Sequence, residues 1–334
     1  MNKARPRQSG PTRRSVMLFV GLALIVAALV INGPGLVSLW YNARDSRLVD
    51  ALPSATPAAR GERVLILAPH PDDEDLCCAG YIRQALDRGA SVSIAYMTSG
   101  DGFEWDVILL DRRLRPAARD LIRLGEKRMV EARKAASVLG VPASHLYFLG
   151  YPDGGLMHLF LENYATPYRS LHTHLRSVPY RDALAPGSSY TGSNLERDLD
   201  AVLNAVHPTI VLAPSPLDAH EDHRATGGIA LRLLGKRGEV GRLIFWIVHG
   251  GLEWPLPKGL HPGLPLSVPP RGRGLPWRRL DLNPDQVAIK ERALQAHATQ
   301  EAVLSRFMNA FARRNELFSP QPLPTENLPS PGSP

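Results

Sequence analysis

Cysteine is nearly absent from the sequence, whose 334 residues contain only two, the adjacent pair Cys77 and Cys78. Adjacent cysteines rarely form a disulfide, because the geometry of the bridge is strained at that separation. The sequence therefore excludes a disulfide framework, and its cysteine usage does not decide between reducing and oxidising compartments. We expect both cysteines to be small buried residues at the start of a helix rather than a redox pair.

Acidic residues are missing from the first fourteen positions, which hold the basic residues Lys3, Arg5, Arg7, Arg13 and Arg14. Without these five, 34 of the 39 basic residues remain against 32 acidic ones, so the rest of the chain is nearly balanced. A nucleic-acid footprint needs a basic patch on the folded domain. The short arginine cluster at residues 271–279 lies among glycine and proline. We therefore expect no nucleic-acid partner.

Charge is also absent from residues 15–43, which begin with the aliphatic run Val16–Ile31. The uncharged stretch is long enough for a membrane-spanning helix, and Trp40 and Tyr41 suit the membrane–water interface. We expect residues 1–14 to be a basic cytoplasmic N-terminus and residues 15–43 a transmembrane signal-anchor. The protein would then be a single-pass membrane protein with its catalytic domain on the extracytoplasmic side. A cleaved signal peptide, which would make the protein secreted, stays open as the alternative.

Proline marks both ends of the remaining chain. Residues 44–62 are predicted to be a linker and residues 317–334 a disordered proline-rich tail, which leaves one domain at 63–316. Within it, short apolar runs such as Val64–Ala68 alternate with helical patterns such as Glu126–Leu139. This alternation predicts an α/β fold, a Rossmann-like, mostly parallel sheet with helices on both faces. Ligands bind beyond the carboxyl ends of the strands in such sheets.

Two polar clusters follow predicted strands at that edge. The first strand runs into residues 68–74, APHPDDE, and the fourth runs into residues 213–223, APSPLDAHEDH. A catalytic zinc takes three nitrogen or oxygen ligands and leaves one position for water, whose pKa it lowers to about 7. A carboxylate can take the proton of that water, and an imidazole can stabilise the oxyanion and protonate the leaving amine. The two loops contain candidates for every one of these roles.

The pairing of His-Pro-Asp-Asp-Glu with a later His-x-Asp-His resembles the PIG-L/LmbE-like family of N-acetylglucosaminyl de-N-acetylases. The resemblance extends over most of residues 63–312. It implies a metal-dependent N-acetylglucosamine deacetylase acting on a glycan, glycolipid or glycoconjugate through metal-activated water. The implied cofactor is Zn²⁺, although Fe²⁺ or Co²⁺ could occupy the same ligand set, because the order of affinities does not fix the metal.

The resemblance also implies roles for residues of the first loop and one residue of the second. His70, Asp73 and His223 would bind the metal, and Asp72 would be the general base. Another interpretation of Asp72 and Asp73 is that two aspartates after a strand merely cap a helix. The second motif favours the catalytic interpretation.

The remaining implied roles belong to His220, Asp222, Arg128 and Asp153. His220 would polarise the acyl oxygen and act as the acid, with Asp222 tuning its imidazole. Arg128 and Asp153 match positions that contact sugar hydroxyls in the family. A surface pair for Arg128 and a turn position for Asp153 are the simpler alternatives.

Other features of the sequence leave the substrate open. Glu221 and Asp218 depart from the family pattern, the latter where some relatives carry a tyrosine near the substrate. The long segment Leu156–Asn194 holds four tyrosines, and we expect it to shape an acceptor groove. The alternative functions are deacylation of another N-acyl compound, such as a small glucosaminyl thiol precursor or an antibiotic, and non-catalytic glycan binding.

Overall fold

The computed structural model describes residues 45–102, 117–251 and 253–324, together with six residues between positions 17 and 26. Within these ranges no helix has the length and apolar character needed to cross a membrane. The cytoplasmic N-terminus predicted at residues 1–14 lies outside the described residues, as does most of the signal-anchor predicted at 15–43.

Five strands form one parallel sheet: β1 (Arg63–Ala68), β2 (Ser91–Thr98), β3 (Leu146–Tyr151), β4 (Ile210–Pro214) and β5 (Leu243–Trp246). Their order in the sheet is β3-β2-β1-β4-β5, and every neighbouring pair runs parallel. Val64 to Ala68 of the central strand β1 are buried without interruption. A strand covered on both faces needs such a continuous apolar run. The predicted α/β fold with a parallel sheet is confirmed.

The chain reverses its direction of travel across the sheet at β1. It adds β2 and β3 on one side of this strand and then returns to add β4 and β5 on the other. Such a switch point opens a crevice beyond the carboxyl ends of the two central strands. The loops that carry the two polar motifs follow β1 and β4 and therefore border that crevice.

The helices of the domain are α1 (Asp73–Asp87), α2 (Ala118–Leu139), α3 (Leu156–Leu161), α4 (Gly192–Val206), α5 (Glu221–Lys236), α6 (Pro284–Ala296) and α7 (Ala298–Met308). Two further strands, β6 (Arg278–Asp281) and β7 (Asn315–Phe318), form an antiparallel pair. The helices α1 and α5 begin inside the two polar motifs, so the loops that precede them are short and fixed at both ends.

The described structure differs from the predicted linker at residues 44–62. Val49 is fully buried, and Ser54 forms a bridge with Arg279 of β6. The proline content of the segment suggested an exposed connection. Its apolar side chains instead pack against the domain, which removes their surface from water.

The C-terminal boundary also differs from the prediction of a disordered tail at residues 317–334. The strand β7 extends to Phe318, and Ser319 forms an antiparallel bridge with Phe245 of β5. This pairing covers the edge of the parallel sheet, which would otherwise present unpaired backbone groups. Residues 325–334 lie outside the described residues.

The two cysteines are buried in α1 as expected, but their sulfur atoms are bonded to each other. The sequence argument that excluded this bond is therefore wrong for this pair. Both side chains belong to the main apolar core of the domain.

A buried ion pair ties the last strand to the helix that carries the first motif. Lys290 Nζ lies 2.7 Å from Glu316 Oε1 and donates to the carbonyl of Leu76 at 2.9 Å. Glu316 also accepts from the backbone N–H groups of Gly80 and Tyr81 in α1 at 2.8 and 2.9 Å. Every polar atom of this group is therefore matched, and the pair fixes α1 against α6 and β7.

Lys290→Met should lower the free energy of unfolding by about 3–5 kcal/mol, because it leaves the negative charge of Glu316 buried without a cation to balance it. The double variant Lys290→Met/Glu316→Gln should regain part of this loss. The matched control is Lys236→Met, which removes an exposed lysine from its pair with Glu196 and should cost at most about 1 kcal/mol. Urea unfolding measures all three. A stability of Lys290→Met equal to that of the control would contradict the account.

Candidate metal centre

The first loop places its carboxylates through a strained turn. Asp72 has a φ of 126°, a backbone conformation that side chains other than glycine rarely adopt. Its N–H donates to Glu74 Oε2 at 3.1 Å, and Tyr96 donates to the other oxygen of Glu74 at 2.7 Å. Gln300 donates to the carbonyl of Pro71 from the other side. Strain of this kind persists where the surroundings over-determine it, and it is concentrated at functional sites.

The three residues predicted to bind the metal come together around one carboxylate oxygen. Asp73 Oδ2 lies 3.3 Å from His70 Nδ1 and 3.3 Å from His223 Nε2. Bonds of about 2.0–2.1 Å to a tetrahedral zinc place ligand atoms about 3.3 Å apart. His223 is fully buried, yet neither of its ring nitrogens forms a well-directed hydrogen bond. A buried imidazole nitrogen without a hydrogen bond is suited to a metal, so this cluster of imidazoles and carboxylates is compatible with a bound divalent ion.

The far side of the His70 ring is held by two further carboxylates. His70 Nε2 lies 3.1 Å from Asp153 Oδ1 and 3.2 Å from Asp222 Oδ2. Asp222 is itself fixed by the backbone N–H groups of Gly154 and Leu156, at 2.7 and 3.0 Å. These contacts leave His70 Nδ1 to face Asp73. Carboxylates on the outer nitrogen of a ligand imidazole fix its orientation and raise its basicity.

Asp222 contacts a different histidine from the one that the sequence suggested. We expected its carboxylate to tune His220, but the carboxylate lies against His70. Its link to His220 is through the backbone, since the N–H of Asp222 donates to His220 Nδ1 at 3.2 Å. The tuning of His220 by Asp222 stays a prediction.

Asp218 is the counterpart of Asp222 in the second loop, and sequence reasoning missed it. Its Oδ2 lies 3.3 Å from His223 Nδ1 and accepts from the N–H groups of Val248 and His249, each at 3.0 Å. Its Oδ1 accepts from the N–H of His220 at 2.9 Å. A fully buried carboxylate thus fixes the second motif and the ring of His223 together. The only signal in the sequence was its departure from the family pattern.

The carboxylates strongly perturb the two imidazoles predicted to be ligands. Burial lowers the pKa of His223, but Asp73 and Asp218 outweigh it and raise this pKa to about 10. Burial likewise lowers the pKa of His70, but Asp153, with help from Asp222, raises it well above the usual value. Both rings therefore attract a positive charge, which can be a proton or a metal ion.

The two groups predicted to do the chemistry favour their neutral forms, whereas those two imidazoles favour their charged forms. Burial and the adjacent charge of Asp73 raise the pKa of Asp72 to about 8. Burial, together with His70 and His223, lowers the pKa of His220 to about 4. His220 is half-buried, and its ring centroid lies 4.8 Å from that of His70. A carboxyl that holds its proton more tightly than usual and a neutral imidazole thus lie beside the centre.

His249 also lies in the cluster, although it belongs to neither of the two motifs. Its ring centroid is 4.7 Å from that of His223 and 5.1 Å from that of His220. It follows β5 at the same edge of the sheet as the two motifs, and that position was the only signal available. A lone histidine outside a motif could not be placed without the fold.

The two residues predicted to contact sugar hydroxyls lie close to the centre but differ in their exposure to solvent. Arg128 is buried in α2, and its Nη1 donates to the carbonyl of Gly100 at 2.7 Å. Asp153 lies at the edge of the crevice, where it accepts from the N–H of Gly102 at 2.8 Å. Arg128 thus braces the loop after β2, while Asp153 is partly open. Their contact with a substrate stays a prediction.

The segment Leu156–Asn194 does not offer the aromatic surface that we expected for an acceptor groove. Tyr168, Tyr180 and Tyr190 are buried. Tyr180 donates to Asp101 Oδ2 at 2.5 Å, which uses its hydroxyl inside the domain. Only Tyr164 among the four is substantially exposed. The tyrosines mostly fill the core beneath the segment, because large side chains remove more apolar area from water there.

A family model and several known proteins are similar to this chain. The PIG-L family, described as GlcNAc-PI de-N-acetylase, matches residues 65–234. A 1D-myo-inositol 2-acetamido-2-deoxy-alpha-D-glucopyranoside deacetylase of Actinosynnema mirum is 26% identical over 72% of this chain and 81% of its own length. A deacetylase of the same description from Tsukamurella paurometabola is 27% identical over 77% and 89%.

Among solved structures, the N,N'-diacetylchitobiose deacetylase of Pyrococcus horikoshii is similar over 77% of this chain and 82% of that one. Its sequence is 19% identical and the TM-score is 0.45. The family match by itself spans about half of the chain and includes both polar motifs with the helices α1 and α5. The chain therefore belongs to the PIG-L family of de-N-acetylases.

Proposed function

We propose that the protein is a zinc-dependent hydrolase that removes the N-acetyl group from an N-acetylglucosamine-containing glycan, glycolipid or glycoconjugate. The observation that carries this proposal is the convergence of two loops on Asp73 Oδ2, at 3.3 Å from one nitrogen of each imidazole. The family and the descriptions of its relatives support the acetamido sugar as the substrate class. A zinc ion held by His70, Asp73 and His223 would activate water and polarise the acyl oxygen.

Asp72 is suited to the role of general base. Positive charge on His297, His70 and Arg128 already lowers its pKa against the effect of burial. A cation beside it would act in the same direction, so the carboxylate would be ionised near neutral pH. Its strained backbone holds it next to Asp73 but leaves its oxygens free of the hydrogen bonds that fix Asp73. Asp72 can therefore take a proton from water and later release it.

His220 is suited to bind the acyl oxygen. Its Nδ1 accepts from the N–H of Asp222, so the neutral ring carries its proton on Nε2. An Nε2–H group at a half-buried position can donate to an oxygen that gains negative charge as the amide is attacked. The same ring can serve as the acid, because it can pass to the leaving amine the proton that Asp72 takes from water.

Two further parts of the proposal concern the substrate and the location of the enzyme. Asp153 lies at the open edge of the crevice, beside His70, where a carboxylate can accept from sugar hydroxyls. The N-terminal charge pattern supports an enzyme anchored in the cell membrane, with the substrate at its outer face.

A non-catalytic glycan-binding module would not require a strained aspartate beside two imidazoles.

The purified full-length protein should release acetate from at least one member of a panel of N-acetylglucosamine compounds, and a chelator should stop the release. Asp72→Asn should lower the rate at least about 100-fold while the metal content is unchanged, because only the proton acceptor is lost. His70→Ala should lose the metal itself.

The matched control is Asp182→Asn, which changes an exposed aspartate paired with Arg133 and should leave both readouts unchanged. Wild-type turnover by Asp72→Asn would show that the base is assigned wrongly. A protein that binds zinc but releases acetate from no compound would remove the proposed activity.

Asp218→Asn should weaken zinc binding by about 10–100-fold, the usual cost of losing a carboxylate that orients a ligand histidine. The amide retains the size of the side chain and one acceptor for the N–H groups of Val248 and His249, so the fold should persist. Competition with a chromophoric chelator measures the affinity. An unchanged affinity would mean that Asp218 supports only the loop.

Metal affinity should rise with pH between about 6 and 8, by about tenfold per pH unit for each proton displaced. In the metal-free protein, the raised pKa of His223, about 10, keeps its ring protonated in this range, and that of His70 is raised in the same sense. A metal must displace these protons, and a higher pH makes that easier. Cobalt titrations at three pH values measure the slope, and a flat profile would contradict the cluster of charges described above.

A further inference from the structure

His249 is placed toward the metal centre from the β5 side of the crevice. One oxygen of Asp73, one ring nitrogen of His223 and one ring nitrogen of His249 all lie within 4.8 Å of one another. This group shares two of its three members with the set His70, Asp73 and His223. A ring nitrogen of His249 therefore lies close to two of the three residues predicted to bind the metal.

The position of the His249 ring is fixed from both ends. Its backbone N–H donates to Asp218 Oδ2 at 3.0 Å, and its carbonyl accepts from the N–H of Ala219 at 3.0 Å. Its ring stacks on Phe307, with centroids 5.8 Å apart and planes 8° from parallel. The carboxylate that contacts the ring of His223 thus also anchors the backbone of His249.

The chemistry of zinc allows a fourth protein ligand at such a site. Catalytic zinc usually has three protein ligands and a water, and it can expand to five-coordinate. Four protein ligands and one water make a five-coordinate centre that still has a position for chemistry. Imidazole is the commonest protein ligand for metals, and His249 is partly buried rather than solvated.

We propose that His249 is a fourth protein ligand of the metal centre, supplied by the loop after β5. The proposal rests on the metal centre of the proposed function and adds to it a residue outside both motifs. Three loops, which follow β1, β4 and β5, would then each supply a ligand to one ion. The competing explanation is that His249 only packs beside Asp218 and steadies His223 from outside.

Cobalt(II) bound to the full-length protein distinguishes the two explanations, because its visible spectrum reports the number of ligands. His249→Phe keeps a ring against Phe307 and removes the nitrogen. It should weaken Co²⁺ binding by more than about 100-fold, the most that an outer partner usually costs. It should also raise the visible absorption, as a five-coordinate centre becomes four-coordinate. The matched control is His158→Phe, since His158 stacks on Tyr168 in the same manner, with centroids 5.0 Å apart, outside the cluster.

His249→Cys provides a second variant with a positive signal. A thiolate that reaches the ion should produce a sulfur-to-cobalt charge-transfer band that the wild-type protein lacks, because cysteine is itself a good ligand for such metals. Circular dichroism of the metal-free variants verifies that each is folded.

An unchanged cobalt spectrum for His249→Phe, with no charge-transfer band for a folded His249→Cys, would overturn the proposal. A loss of affinity within about 10–100-fold without a spectral change would do the same and would assign His249 to support. The proposed activity is tested separately by acetate release. Wild-type protein that binds Co²⁺ but releases no acetate would remove the activity and still allow the ligand test.

Discussion

One carboxylate oxygen, Asp73 Oδ2, holds the two halves of the site together. It lies 3.3 Å from His70 Nδ1 at one end of the crevice and 3.3 Å from His223 Nε2 at the other. The two histidines lie 153 positions apart in the sequence, and the parallel sheet brings them together by placing β1 next to β4. Charge attraction among these groups holds the two loops together. A buried cluster of this kind is stable only if each charged group has a partner of opposite charge or a hydrogen bond.

The charged groups of the cluster are balanced by contacts on the outer sides of the imidazole rings. Asp222 and Asp218 each take one imidazole on the side away from Asp73, and each is anchored by backbone N–H groups from a different loop. These contacts restrict the rotation of the rings before a metal binds, which lowers the conformational entropy lost on binding. Asp153 and Asp73, with help from Asp222 and Asp218, raise the pKa of the two rings, so the site exchanges protons for metal. Orientation and basicity come from the same few contacts.

The sequence predicted the parallel sheet and the two loops, because apolar runs and clustered imidazoles are local patterns. It could not predict the outer contacts. The family resemblance assigned Asp222 to the tuning of His220, but its carboxylate contacts His70 of the other loop. Asp218 and His249 stand outside the shared motif, so their positions depend on how β4 and β5 lie in the sheet. The segment at residues 44–62 was predicted to be a linker from its prolines, yet Val49 and Ala58 are buried.

The roles of the site residues follow from one arrangement: a single divalent ion bound where the two loops meet, with Asp72 and His220 at its open side. Anomalous diffraction at the zinc edge from crystals of the zinc-loaded protein tests this arrangement most directly. The account predicts one peak in the crevice, about 2.0–2.2 Å from His70 Nδ1, Asp73 Oδ2 and His223 Nε2. A peak bound elsewhere, or a loaded crystal in which these three atoms do not share one ion, would contradict it.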